Sequence, residues 1–425
     1  MRLPFYYGWV VVAVAFVTMA IGVNARTAFS LLFPSMLDEF GWERGFTAGV
    51  FSAGFIVATA FMPWLGWLLD RRGPRLVMLL GVALVTAGLG LAPLVSEPWH
   101  LYATLGVLVS GGSFCLGYTG HAQFLPNWFV RRRGLAIGVA FSGVGVGSIV
   151  LLPWMQALIV TRGWRHACRA MAVVVLLVLV PLNLIFPRRR PEDVGLRPDG
   201  APAPRATAAA PAHPANVVDP AWASVDWTLG RAARTARFWW VFAAYVTGLF
   251  AWYAVQVHQT KYLIEIGFAP ETAAWALGFV PFTGIVGQIA LGWLSDRIGR
   301  EWTWTLASAG FALCYAALLA MRAHPTTALL WVMVGSQGML GYGIASVYGA
   351  IPAELFQGRH YGTVFGTLSL GSGLGGGLGP WVTGILYDAT GSYVPAFWLA
   401  LACCAVSALT IWLAAPRKVR AVGFS

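Results

Sequence analysis

Charged side chains are scarce in this 425-residue chain: they make up 10% of it, while 58% of the residues are hydrophobic. A soluble domain carries roughly 25% charged residues, so water is not the main solvent of this protein. Lysine is limited to Lys261 and Lys418, a bias that fits a high-GC bacterial genome. None of the 16 acidic residues falls in the middle of an apolar run, which removes a mid-membrane carboxylate as a proton carrier. The five cysteines, Cys115, Cys168, Cys314, Cys403 and Cys404, stand in or beside apolar stretches without ligand spacing. That excludes a disulfide framework or a zinc site and leaves them as small packing residues. The spans hold no paired acids, Ser–Lys pair or metal-ligand cluster, so the protein is not read as an enzyme, and no cofactor or metal is expected. The formal charge of +12 is assigned to loops at one membrane face and not to a nucleic-acid site.

What the chain has in abundance is long apolar runs, 50 glycines and 21 tryptophans. Glycine is tolerated in membrane helices and tryptophan anchors at the lipid interface. A helix needs about 20 apolar residues to cross the hydrocarbon core. Six such runs lie near 8–33, 45–69, 75–94, 99–126, 135–158 and 168–187, and six more near 238–263, 271–294, 302–321, 326–353, 361–385 and 393–414. The first is too long for a signal-peptide core and reads as a retained helix. Between Arg188 and Arg237 the composition turns to Pro, Ala and Arg, which cannot bury enough apolar area to fold alone. The expected organisation is therefore an N-terminal six-helix bundle (1–187), a flexible cytoplasmic linker (188–237) and a C-terminal six-helix bundle with a short tail (238–425).

With both termini placed in the cytoplasm, the segments on that side carry 21 Lys and Arg residues and the outer loops six, as the positive-inside rule requires. The halves also repeat. Gly66-Trp67-Leu68-Leu69-Asp70-Arg71-Arg72-Gly73 returns as Gly292-Trp293-Leu294-Ser295-Asp296-Arg297-Ile298-Gly299, each copy in the turn after the second helix of its half. An aspartate there can accept bonds from free amides at a neighbouring helix end, and the arginines can anchor to the inner face. Asp70, Arg71, Arg75, Asp296, Arg297 and Arg300 are thus the candidate conformational latch. Paired bundles with an internal repeat place a solute site between halves that rock against each other.

These motifs resemble the major facilitator superfamily, whose loop between helices two and three carries a Gly-x-Leu-x-Asp-Arg-x-Gly-x-Arg pattern, seen here at 66–75. The resemblance implies an all-α integral membrane fold of twelve transmembrane helices in two six-helix bundles. Within the superfamily the chain is similar to the monocarboxylate transporter family and its bacterial members. That likeness is carried by Trp128-Phe129-Val130-Arg131-Arg132-Arg133-Gly134-Leu135-Ala136-Ile137-Gly138-Val139-Ala140, followed by Gly143 and Gly147. Tyr7-Gly8-Trp9 keeps the Gly and Trp of the family's other hallmark without its acidic residue. On helix eight, where family members hold a basic residue for the substrate carboxylate and an acid four residues earlier, this chain has Gln288 and Gly284. Ala136, Ala140, Gly143 and Gly147, and later Gly371, Gly375 and Gly379, recur at helical spacing as narrow faces, where helices pack closely or slide during alternating access.

Polar groups inside a membrane mark a pathway or a pair. Arg26, in the outer half of helix one beside Asn24, is read as a fixed cation for an anionic solute, because guanidinium suits planar carboxylates; the alternative is an interfacial arginine. Tyr118 and His121 on helix four, Tyr253, Gln256 and His258 on helix seven and Gln288 on helix eight complete the candidate substrate set, and Gln337, Tyr342 and Tyr348 on helix ten are weaker candidates. The cavity is expected to be lined by helices one, four, seven, eight and ten. His121 offers a titratable group near neutral pH.

The resulting expectation is a secondary active transporter, its partners being a small organic solute, the lipid bilayer and protons, with no nucleic acid and a monomeric state. It would move a monocarboxylate or related organic anion by alternating access in a bacterial inner membrane, with proton symport, exchange and uniport all open as coupling modes. The competing readings are efflux of neutral or aromatic drug-like compounds and a non-transporting membrane sensor.

Overall fold

The structure, a computed structural model, describes residues 6–40, 44–200 and 216–421. Arg2, Arg205 and the stretch 201–215 of the expected linker lie outside the described residues. Twelve long helical segments follow the apolar runs: α1 Gly8–Thr27, α2 Arg44–Arg72, α3 Pro74–Leu91, α4 Pro98–Asn127, α5 Arg133–Arg162, α6 Trp164–Ile185, α7 Ala236–Glu265, α8 Pro270–Ile298, α9 Arg300–Met321, α10 Thr327–Leu355, α11 Tyr361–Thr390 and α12 Val394–Ala414. Eleven segments among the described residues are long and apolar enough to cross a membrane. Glycine and serine dilute the hydropathy of α11, but its 30 residues are ample in length. The fold is all-α, with α1–α6 and α7–α12 forming two six-helix bundles that meet along α2 with α11 and α5 with α8.

The outward surface is apolar. Ile56, Phe61, Trp64, Trp99, Trp239, Trp275, Trp381 and Trp398 are all exposed, as a lipid-facing shell requires. Small residues set the helix spacing inside each bundle. A Cβ at Gly143 or Gly147 would lie 2.3 Å from the carbonyl oxygen of Phe16 or Ala20 on α1, and one at Gly375 would lie 2.1 Å from that of Val246 on α7. These faces pack α5 closely on α1 and α11 on α7 within a half. The contacts that cross between halves use other small residues. A Cβ on Gly66 would lie 2.0 Å from the Gly362 carbonyl oxygen, and one on Gly138 would lie 2.3 Å from that of Gln288.

Three helices depart from regular α geometry. Wide π-helical turns occupy Tyr102–Val109 in α4, Val175–Leu179 in α6 and Ser336–Gly341 in α10, and α4 breaks at Gly117, where ψ is −157°. The described residues of the linker, 188–200 and 216–237, are more ordered than a flexible tether. They form short helical turns at Pro191–Val194, Pro198–Gly200, Pro220–Ala223 and Leu229–Ala233. They are anchored by specific bonds: the Trp222 indole donates to the Leu355 carbonyl at 2.7 Å, and Val218 N–H donates to the Val419 carbonyl at 2.9 Å. Composition alone missed this docking, because the anchors are single tryptophans and backbone groups spread through a Pro/Ala-rich stretch.

Candidate functional site

At the face that carries the linker, each repeated aspartate crosses from one half to the other. Asp70, in the last turn of α2, accepts bonds from the Gly362 and Thr363 amides at 2.9 and 2.7 Å and from the Thr363 hydroxyl at 2.7 Å. Asp296, near the end of α8, accepts from the Gly134 and Leu135 amides at 2.8 and 2.9 Å. These are the free first-turn amides of α11 and α5, where a helix end favours negative charge. The halves are pinned together at this face by two related contacts.

The arginines divide. Arg71 and Arg297 turn back onto Trp67 and Trp293 of their own helices, at 4.7 and 3.7 Å from the ring centroids, and Arg75 is half-buried in the first turn of α3. Arg300 alone among the candidate arginines joins its aspartate, at 2.7 Å, and also donates to Glu354 at 2.8 Å. Glu354 reaches Arg133 of the other half at 3.9 Å, so a buried carboxylate sits between guanidinium groups from both bundles. In the first copy of the motif, Pro74 stands at the place of Arg300. The missing cation comes instead from the linker: Arg189 contacts Asp70 at 3.2 Å and donates to the Arg359 carbonyl at 2.6 Å. Burial lowers the Arg189 pKa and the Asp70 charge opposes that shift. Burial likewise pushes the Arg420 guanidinium, close to Arg133 and Glu354, down to about 10.

The hallmark motifs also meet. Trp9 packs edge-on against Phe129 at 5.1 Å, Tyr7 lies 5.6 Å from Trp128, and the Tyr6 hydroxyl donates to the Trp128 carbonyl at 2.7 Å. Asp199 of the linker accepts from the Val130 and Arg131 amides, both at 2.9 Å. The start of α1 and the entry to α5 are thus one packed unit.

Deeper between the halves lies a cavity of about 90 Å³. The first half contributes Val23 and Arg26 from α1, Phe55 and Met62 from α2, and Ser113, Phe114, Tyr118 and Thr119 from α4. The second half contributes Leu249, Trp252 and Tyr253 from α7, Ile344, Ala345 and Tyr348 from α10, and Ser372 and Gly373 from α11. The Arg26 guanidinium lies 5.6 and 5.0 Å from the ring centroids of Phe55 and Phe114 and interacts with the Tyr253 phenol. Tyr348 bonds to Ser372 at 2.7 Å and to Ser369 at 3.1 Å, forming a hydroxyl cluster on the α10–α11 wall. Among the described residues that line this space, Arg26 is the one charged group.

Three of the candidate substrate residues, Arg26, Tyr118 and Tyr253, come together there; five do not. Asn24 is 1% exposed and donates from its amide to the carbonyls of Ala20 and Val144, tying α1 to α5. The His121 ring turns back from the cavity to donate through Nδ1 to the Gly117 carbonyl at 3.0 Å, which also accepts the His121 backbone amide at 3.2 Å. Gln256 lies behind the wall, where it accepts from the Trp252 indole at 3.2 Å and donates to the Tyr342 hydroxyl at 3.3 Å. His258 bonds to the Pro380 carbonyl at 3.0 Å and packs on Tyr393. Gln288 is 2% exposed at the α5–α8 crossing, and a side chain at Gly284 would run into the Tyr342 ring. Helix eight is therefore corrected as a wall of the cavity; α2 and α11 take its place. Of the helix-ten candidates Tyr348 lines the cavity and Gln337 and Tyr342 do not, while Phe55, Trp252, Thr119 and Ser372 carry no sequence signal that separates them from ordinary packing residues.

A family model described as Major Facilitator Superfamily matches residues 12–346 and 259–423. The chain is similar to monocarboxylate transporter 13 of Rattus norvegicus, 28% identical over 92% of this chain and 85% of the relative. It is also similar to monocarboxylate transporter 11 of Homo sapiens, 28% identical over 98% of this chain and 84% of the relative. The crystal structure of the E. coli fucose:proton symporter FucP superimposes with a TM-score of 0.68 at 15% identity, covering 96% of this chain and 98% of that one.

Proposed function

The chain belongs to the Major Facilitator Superfamily, and from that premise we propose that it is a secondary active transporter of a small organic monocarboxylate, working by alternating access. The observation that carries the reading is Arg26: one cation, held against Phe55, Phe114 and Tyr253, in an otherwise uncharged lining between the halves. A carboxylate entering such a low-dielectric space gains more from a fixed guanidinium than it would in water. The similar monocarboxylate transporters support the same solute class.

In this reading Arg26 takes over on α1 the anion-binding task that the family's helix-eight base performs, since Gln288 faces α5 and Tyr342 fills the space beside Gly284. The linker face is cytoplasmic, with both termini on that side, and the units are 1–187, 188–237 and 238–425. The Asp70 and Asp296 contacts form the inner gate, shut in this state; inward opening breaks both. The described lining offers no carboxylate to carry a proton, so a proton that accompanies the solute travels on the solute's own acid group.

Uptake of radiolabelled monocarboxylates into proteoliposomes, with and without an inward proton gradient, tests this. The expected result is saturable uptake that Arg26→Ala abolishes and Arg26→Lys retains in part. Equal uptake by wild type and Arg26→Ala would remove the anion-anchor role.

A further inference from the structure

We propose that Arg420 of the C-terminal tail is a relief partner for Glu354: it takes over this buried carboxylate when Arg133 leaves with the other half, and so favours opening of the inner gate. This rests on the reading of the linker face as that gate and adds a residue to its working.

The tail is held where it can deliver this side chain. Beyond α12, Pro416–Lys418 form one helical turn, and Arg420 then pairs with Val217 of the linker as an antiparallel bridge. The Val218 amide donates to the Val419 carbonyl at 2.9 Å, and the Ala421 amide donates to the Asn216 carbonyl at 2.8 Å. The Arg417 amide donates to Glu301 on α9 at 2.9 Å, and the Trp222 indole holds the linker strand to the Leu355 carbonyl on α10 at 2.7 Å. Tail and strand are therefore fixed to the second half, the one that carries Glu354. Arg133 is fixed to the first: its Nε donates to the Pro126 and Phe129 carbonyls at 3.1 and 3.0 Å. When the halves part at this face, Arg133 goes one way and Glu354, Arg300 and Arg420 go the other.

The bonding of the shut state is incomplete in a matching way. Arg300 and Arg133 both approach Glu354 through Oε1, at 2.8 and 3.9 Å, so Oε2 carries neither contact. Arg420 is 9% exposed, and its Nε is buried without a hydrogen-bond partner. Burial and the neighbouring Arg133 lower the Arg420 pKa, and Glu354 raises it, as its position beside both requires. A buried donor without an acceptor is costly, and a second cation beside Arg133 adds repulsion. The shut state leaves both in place. Withdrawal of Arg133 ends the repulsion and lets Arg420 turn its Nε–H onto Glu354. A buried carboxylate that loses one of two cations is destabilised; Arg420 replaces the one lost. One charge-assisted hydrogen bond gained only in the open state shifts the gate equilibrium by about tenfold.

The test uses the full chain in proteoliposomes. The readout is labelling of Met62→Cys, a cavity residue on α2, by a membrane-impermeant maleimide from the linker face, in an Asp70→Asn background that weakens the gate. Adding Arg420→Gln is expected to lower the labelling rate about tenfold, and Arg420→Lys, which keeps the charge without the Nε–H, is expected to fall between. Val218→Pro leaves Arg420 itself intact: the Val218 side chain is exposed, and losing its amide frees the tail, so labelling is expected to fall in the same direction. In Arg133→Gln no partner is lost on opening, and Arg420→Gln is expected to change the rate little. A residue that only supports folding would act equally with and without Arg133, and that result would overturn the inference. So would a rate that Arg420→Gln leaves unchanged or raises where Asp70→Asn has raised it, with the gate reading left intact. No rise in Asp70→Asn itself would overturn the gate reading and the inference with it.

Discussion

Replacing Asp70 with Asn perturbs the contact between halves without changing its shape. Asp70 uses both carboxylate oxygens, one toward Gly362 N–H and Arg189, the other toward the Thr363 amide and hydroxyl. Asn keeps one acceptor oxygen and turns an NH₂ toward the remaining donors. Hydrogen bonds to a charged group contribute roughly 1.5–3 kcal/mol each, and with only 5% of the Asp70 side chain exposed solvent screens little of that. Losing about two such bonds costs the shut state roughly 3 kcal/mol, which shifts the gate equilibrium about a hundredfold. The assay is thiol labelling of Met62→Cys, a cavity residue on α2, by a membrane-impermeant maleimide applied from the linker face. The labelling rate is expected to rise steeply in Asp70→Asn. An unchanged rate, with the variant folded, would refute the role of Asp70 as a gate contact.

Other perturbations follow from the same geometry. Arg189→Ala is expected to open the gate less than Asp70→Asn, by about 1 kcal/mol or under, because Arg189 is 22% exposed and screened; the same labelling assay checks it. Gly147→Ala places a methyl against the Ala20 carbonyl and the Asn24 amide, and is expected to destabilise the first half by about 1–3 kcal/mol, seen as a lower Tm in detergent. At Glu39, bonds from Arg165 and the Trp164 indole hold the carboxyl below the usual range. Its stabilisation is therefore present above the ordinary value and lost as pH falls through the depressed one. The pair is half-exposed, so Glu39→Gln is expected to cost under about 1 kcal/mol near neutral pH, and the Tm difference should vanish in acid.

Much of the fold could be read from the chain, because membrane insertion writes helices as apolar runs and the Asp70 and Asp296 copies mark the equivalent turns. The capture of helix-end amides by both aspartates also followed from charge and position. The orientation of polar side chains did not. Asn24 and Arg26 are two residues apart, which places them on different sides of α1: one bonds across to Val144 on α5, the other faces the cavity. Regular helical counting also fails where α4 breaks. Tyr118 and His121, three apart, would share a face, yet the Gly117 carbonyl draws the His121 ring away. Arg189 was hidden for another reason. A linker arginine reaching Asp70 has no local pattern, and the hint lay in an absence, Pro74 standing where the second copy has Arg300.

Equilibrium binding of a radiolabelled monocarboxylate to the purified protein, wild type against Arg26→Gln, measures the central claim without requiring turnover. The account predicts saturable binding in wild type, weakened at least about tenfold in Arg26→Gln by loss of a low-dielectric charge pair, with competition by other carboxylates and not by their methyl esters. Equal affinity in the two proteins, or equal competition by the esters, would contradict a cavity organised around Arg26 as an anion anchor.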